Sequence, residues 1–363
     1  MVGDLEYRKI QRVGKGSYVV TLPQEWMRGL GLVKGDHLAL EVQEDSSLVL
    51  LPRKMLEARG EDKQPYRKEY RIAVGPKDNP QSVCRQITSL YVVSADLIRI
   101  RFKEGAIPPK HKTAISYLAK NLLLGSEIID ETPNEMTLQI LINHPDFPVE
   151  QAIRRMAILA LSANRDAISS LDDADESLVK IVTEACNDAE RLNLYIIRQL
   201  KYGLERNMFE ELGFKTQKEF LGYRIVANDI KSIADNALNI ASNVAALRKL
   251  IKDQLLLLNE PVDEEMRSQL VRFNSKAHLF LEEALKALFK RDYDHADRLI
   301  SEMRPLAILE NELITMISTK KMDPNISSIF RLILDSSRRI IEYGRNVAEV
   351  TLNRTVEEKS QLF

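Results

Sequence analysis

After Pro148 the apolar residues recur every three to four positions as far as about Asn353. That spacing lines one face of an α-helix, whereas a strand would alternate. Ile153, Met156, Ala160, Ala163, Ala167 and Leu171 form one stripe, and Leu178, Val182, Ala185, Ala189, Leu192 and Ile196 form the next. Interruptions near 171–174, 207–214, 259–262, 291–292 and 322–325 divide the region into about six helices. An internal repeat groups them. Residues 223–241, YRIVANDIKSIADNALNIA, align with 330–348, FRLILDSSRRIIEYGRNVA, at an offset of 107. Each copy closes a three-helix unit, so 148–262 and 263–356 are predicted to be two tandem three-helix bundles.

Ahead of this body the period changes. Ile10–Val13, Tyr18–Leu22, Leu38–Val42 and Leu48–Leu51 are short apolar runs bounded by Gly, Asp or Ser, which predicts four strands. One brief helix opens after Pro23 and ends near Gly29–Gly31, where glycine takes the positive φ that stops a helix. So few short elements bury little of their own surface, and pairing between protomers is the natural remedy. Residues 1–54 therefore read as a small β-rich domain, and the charged stretch 55–68 reads as a linker. Residues 69–147 run strand, helix, strand, helix, strand, strand, with strands at Tyr70–Val74, Leu97–Phe102, Glu127–Asp130 and Met136–Ile142. That order implies a small α/β connector and an α+β chain overall.

Charge excludes a global field. In 363 residues, 52 basic and 53 acidic side chains leave a net charge of -1, so attraction to nucleic acid has to come from a local patch. Cys84 and Cys186 lie far apart without a CxxC or a His companion, which speaks against a disulfide framework and a zinc site and favours a reducing cytoplasm. The N-terminus has no apolar signal region, and no run approaches the ~18 apolar residues of a membrane span, so a soluble cytoplasmic protein without membrane insertion is expected. The five histidines are scattered, and no P-loop, GxSxG or GxGxxG is present, so no enzymatic activity is expected.

The local patch lies at the N-terminus. Between Asp4 and Lys34 there are six basic and three acidic residues, and Arg8, Lys9, Arg12, Lys15 and Arg28 are the candidates for double-stranded DNA contact. Each phosphate they neutralise releases counterions, and arginine can also read guanine edges bidentately. The other reading is that they are solvated strand-edge charges that discourage edge pairing. The stretch RKIQRVGKGSYVVTLPQEWMRGLGLVKGDHLALEVQEDSSLVLLP resembles the AbrB, MazE and SpoVT family of swapped-hairpin DNA-binding domains. It carries a basic strand, Gly-x-Gly, an apolar strand ending in Leu-Pro, a short helix with Trp26, Arg28 and Leu30, then Leu-Gly-Leu and Gly35-Asp36. The resemblance implies two chains interleaved into one small β-barrel, a homodimer with basic side chains on one face against DNA. Trp26 and Leu30, four apart on a helix, are expected to share a buried face.

The stretches ACNDAERLNLYIIRQLKYGL, YRIVANDIKSIADNALNIA and ALKALFKRDYDHADRL resemble PhoU-type phosphate-uptake regulators over about residues 149–353. With the middle segment, the order of parts resembles archaeal phosphate-uptake regulators that join an AbrB-type domain to a PhoU-like body. Many PhoU proteins hold multinuclear metal clusters on Glu-x-x-x-Asp motifs. Anchored on the downstream Ile-x-acid, the motif's Glu falls on Arg224 and Arg331 here, and its Asp falls on Asn228 and Asp335. Arginine there removes an anionic ligand and adds a cation, so no metal or other cofactor is expected. Asp188, Asp235, Asp335 and Glu342 are expected to form interhelical salt bridges with Arg224 or Arg331. Alternatively, the arginines offer a phosphate site, since guanidinium grips phosphate bidentately.

Together these features describe a DNA-binding regulator linked to phosphate uptake, whose helical body senses a signal or docks a partner. The alternative is a phosphate-transport adaptor that docks on a transporter or signalling protein and uses the N-terminal module mainly to dimerise.

Overall fold

The structure is a computed structural model that describes residues 7–14, 16–42, 47–53, 68–75, 77–142, 147–172, 177–206, 208–258 and 262–360. The chain forms two compact units, 1–67 and 68–363.

In the first unit, β1 (Gln11–Val13) pairs antiparallel with β2 (Ser17–Val19), Arg12 lying opposite Tyr18. Strand β2 stops at Val19 instead of running on to Leu22. Helix α1 (Gln24–Gly29) follows Pro23, and Gly31 at φ +62° turns the chain out of it, as only glycine does without strain. Strands β3 (Leu38–Val42) and β4 (Leu48–Pro52) form a second antiparallel pair with Leu40 opposite Leu50. The expected barrel is not closed among the described residues; the unit holds two separate two-stranded ladders. Its apolar side chains show why. Ile10, Tyr18, Leu40 and Val42 are each at least 65% exposed, and Leu32 and Pro52 are the buried residues among those described. One copy of these strands supplies no opposing layer. Trp26 and Leu30 are accordingly half-buried, where a shared core face was expected, and α1 buries no residue.

The second unit opens with β5 (Glu69–Val74), α2 (Pro80–Val92), β6 (Leu97–Phe102), α3 (Pro109–Asn121), β7 (Ser126–Glu131) and β8 (Glu135–Ile140). The sheet order is β5-β6-β8-β7, with β5 parallel to β6 and the other neighbours antiparallel. Proline stands at the first position of both helices, where its missing N–H costs nothing, and the Asn79 side chain caps α2 through the Gln81 amide at 2.8 Å. Ile72, Val74, Ile100, Phe102, Met136 and Leu138 form one core with Val83, Ile87, Tyr91, Ile115 and Leu118 of the helices.

The helical body follows: α4 (Val149–Ser169), α5 (Ser177–Arg206), α6 (Glu219–Lys252), α7 (Glu264–Lys290), α8 (Tyr293–Ser301), α9 (Met303–Thr319) and α10 (Pro324–Ser360). Helices α4, α5 and α6 pack on one another as the first bundle, and α10 packs on α7, α8 and α9 as the second. The middle helix of the second bundle is broken at Glu302, a break the periodicity did not reveal. Pro305, lacking an N–H and clashing with the preceding turn, has to sit in the first turn of a new helix. Helix α6 also packs on α10 and α4 on α7, so the two bundles share one continuous core. Gly344 makes the approach of α10 to α7 possible, since a Cβ there would lie 2.9 Å from the Phe280 ring. Among the described residues, no helix is long and apolar enough to cross a membrane.

Sheet and helical body are locked by one buried arginine. Arg198 of α5 is 1% exposed; its Nη1 donates to the carbonyls of Tyr91 (2.9 Å) and Ala95 (2.7 Å), and its Nη2 reaches Asp96 at 3.2 Å. The Tyr91 carbonyl stands in the last turn of α2, where it also accepts from the Ser94 amide at 3.1 Å, and the Ala95 carbonyl lies just past the helix, so the guanidinium supplements the end of α2 from another layer. Ser94 beside them takes φ +68° and donates back to the Arg198 carbonyl.

Candidate functional site

Arg8, Lys9, Arg12 and Arg28 are all exposed in the first unit. Arg12 is held on β1, and Arg28 leans one turn back along α1 to the Gln24 amide at 3.4 Å. Arg8 and Lys9 lead into β1. Lys15, the fifth candidate, lies outside the described residues. Guanidinium and ammonium groups on such an exposed strand and helix are of the kind that contact phosphate oxygens.

In the body, the repeat copies lie on α6 and α10, which face each other in opposite directions. At the start of α6 the Glu219 carboxylate lies 2.5 Å from Nε of Arg354, near the end of α10, and Arg354 also donates to the Tyr223 hydroxyl; all three side chains are buried. Farther along α6, Asp229 is 6% exposed with one carboxylate oxygen unpartnered. Desolvation pushes its carboxyl up to about 6, and a hydrogen bond with Asn346 of α10 offsets only part of that. Beyond it a polar groove of about 490 Å³ opens between the helices, with Asn239 and Asn243 on one wall and Asp335, Arg339 and Tyr343 on the other.

The candidate residues of the body are not one constellation. Asp235 and Asp335 reach the groove, whereas Asp188, Arg224, Asn228 and Arg331 are exposed on helix faces and do not line it. The salt bridges expected with Arg224 and Arg331 do not form. The carboxylates choose cations one helical turn away, because the i, i+3 and i, i+4 positions share a face. Lys231 binds Asp235 at 2.6 Å and reaches across to Glu190 of α5 at 3.5 Å. Arg338 binds Asp335 at 2.8 Å, pairs with Glu342, and reaches across to Glu310 of α9 at 3.4 Å. Partial burial alone would lower the Lys231 ammonium, but the Asp235 and Glu190 carboxylates hold it above its ordinary value. Desolvation raises the Glu310 carboxyl, while Arg338 and Arg339 overcome the same effect at Asp335 and keep it low.

Lys231 and Arg338 stand at the same offset as the repeat copies, and so do the acids that follow them, Asp235 and Glu342. Sequence reasoning passed over this pair of cations because it placed the Glu-x-x-x-Asp motif on 224–228 and 331–335, seven residues upstream of 231–235 and 338–342. The signal was present as Lys-x-x-x-Asp in one copy and Arg-x-x-x-Glu in the other. A multinuclear metal cluster fits poorly here, because Asp235, Asp335 and Glu342 are already paired with Lys231 and Arg338 of the chain itself. Among the described residues, no three His, Cys, Asp or Glu side chains assemble as metal ligands.

Comparison with known proteins agrees with both halves of the chain. Residues 11–57 match the family described as Antidote-toxin recognition MazE, bacterial antitoxin, and residues 153–244 match the PhoU domain. Among solved structures, the crystal structure of PhoU from Pseudomonas aeruginosa is similar at 18% sequence identity, covering 58% of this chain and 96% of that one with a TM-score of 0.47. No curated protein matches the chain. A MazE/AbrB-like N-terminal domain and a PhoU-like helical body are thus joined in one polypeptide.

Proposed function

We propose that the chain is a DNA-binding transcriptional regulator of phosphate uptake or homeostasis. The observation that carries this reading is the union of a MazE-like segment, 11–57, with a PhoU-like one, 153–244. The exposed apolar strands of the first unit support its pairing with a second copy, since Ile10, Tyr18, Leu40 and Val42 have no covering layer of their own. Pairing doubles the set of Arg8, Lys9, Arg12, Lys15 and Arg28. Their contacts with phosphates supply an affinity that falls steeply with salt.

The mechanism is linkage. A ligand or partner that binds the helical body more tightly in the DNA-competent arrangement raises operator affinity without touching DNA itself, and DNA raises the affinity for that ligand by the same factor. Mapping bound DNA across the genome, with and without phosphate limitation, tests both halves of the proposal. Discrete sites whose occupancy changes with phosphate support it. Absence of bound sites in both conditions rejects the DNA reading and favours the adaptor that docks on a phosphate transporter or signalling protein.

A further inference from the structure

We infer that the outer edge of strand β5, which pairs with no strand among the described residues, is a docking site for an acidic, extended segment of a partner protein, which adds to the connector sheet as a fifth strand. The two edges of this sheet are treated differently. On β7 the ladder is interrupted by an irregularity between Ile128 and Asp130, and Glu127, Asp130 and Glu131 are exposed along it. Irregularity and charge together are the usual defence of an edge against pairing. Strand β5 has neither a bulge nor a proline, and it keeps regular register with β6 from Glu69 to Val74. Its outer row of N–H and C=O groups therefore forms a straight template.

Two depressions flank that template. One, of about 610 Å³, lies between β5 and α2 with Arg85 and Ser89 on its far wall. The other, of about 400 Å³, lies on the uncovered sheet face with Arg99 and Arg101 beside Arg71. Side chains of an added strand alternate between two faces, so one set enters each depression. Arginine waits in both. Arg71 is 81% exposed, and Arg85 and Arg101 are exposed and make no ion pair with a described residue. Glu69 sits between Arg71 and Arg99 and binds both, at 3.2 and 2.8 Å. With Glu135, which lines the same depression 3.8 Å from Arg99, it offsets part of the charge, leaving four arginines facing two carboxylates. Pairing of β5 with β5 of a second copy would press this patch against itself, which leaves an acidic strand as the complementary occupant.

The test uses the full chain and a short fluorescein-labelled peptide of repeated Thr-Thr-Glu-Glu, which presents glutamate on both faces of a strand, followed by fluorescence anisotropy. Binding is expected, with the variant carrying Arg85→Ala and Arg101→Ala weakened about fivefold, the effect of losing two partly screened ion pairs. Both side chains are exposed, so unchanged far-UV circular dichroism is expected for the variant. A peptide of the same sequence, N-methylated at alternate residues, keeps its charge but cannot complete a ladder, and its binding should be lost. Equal binding of the N-methylated peptide, or an unchanged affinity in the variant, overturns strand addition. So does duplex DNA that binds through Arg85 and Arg101 when the peptide does not, since the patch would then be a phosphate surface.

Discussion

Replacing Asp229 by Asn should stabilise the protein near neutral pH. The carboxyl is buried on α6 with one oxygen unpartnered, and its value is raised from 3.8 to about 6. A raised carboxyl favours the protonated fold. Its penalty is absent at low pH, grows as the unfolded chain ionises above 3.8, and is complete once pH exceeds about 6. A shift of this size corresponds to roughly 3 kcal/mol at about 1.4 kcal/mol per unit. Asn keeps the shape and can still bond Asn346, so Asp229→Asn should recover most of that amount, on the order of 2–3 kcal/mol at about pH 7.5. At about pH 4.5 the fold already holds the proton, and the gain should shrink to roughly 1 kcal/mol. Urea denaturation followed by far-UV circular dichroism at both values measures this directly. Equal gains at the two pH values, or a loss near neutrality, would refute a desolvated carboxylate at this place.

Arg198→Met should cost on the order of 3–5 kcal/mol, because it strands the Ala95 carbonyl, removes one of the donors to the Tyr91 carbonyl and leaves Asp96 with the Lys68 amide but no cation. Limited proteolysis should then cut first near the end of α2, where hydrogen exchange will also accelerate. Arg338→Met should destabilise by about 1 kcal/mol, and more than Lys231→Met, because Arg338 holds three carboxylates together and Lys231 two. Denaturant midpoints at low and high salt check it, the difference between the two variants narrowing as salt screens the exposed carboxylates.

Much of the fold was legible because period and punctuation agreed. In the connector, alternating runs between Tyr70 and Ile142 and the prolines at 80 and 109 marked strands and helix starts within a residue or two. The helical stripes did the same for α4 and α5. What escaped had physical reasons. The break at Glu302 hides between two segments that share one apolar face, and Pro305 was its only mark. The half-exposed setting of Trp26 could not be read from i, i+4 spacing, which tells which residues share a face but not whether anything covers it. Arg198 looked like one more polar helix residue, since the carbonyls it caps come from about a hundred positions earlier in the chain. At the body's repeat the expected partners of the acids were Arg224 and Arg331, and packing showed that Lys231 and Arg338, one turn from the acids, take that place.

The most direct test of DNA contact by the N-terminal unit is the salt dependence of binding to random-sequence duplex DNA, for the full chain and for the variant carrying Arg8→Ala and Arg12→Ala. In a dimer the variant lacks four cations, and the slope of log K against log salt should become shallower by about 3 to 4. Parallel slopes with equal affinity would contradict contact by these residues and leave the first unit as a dimerisation clamp.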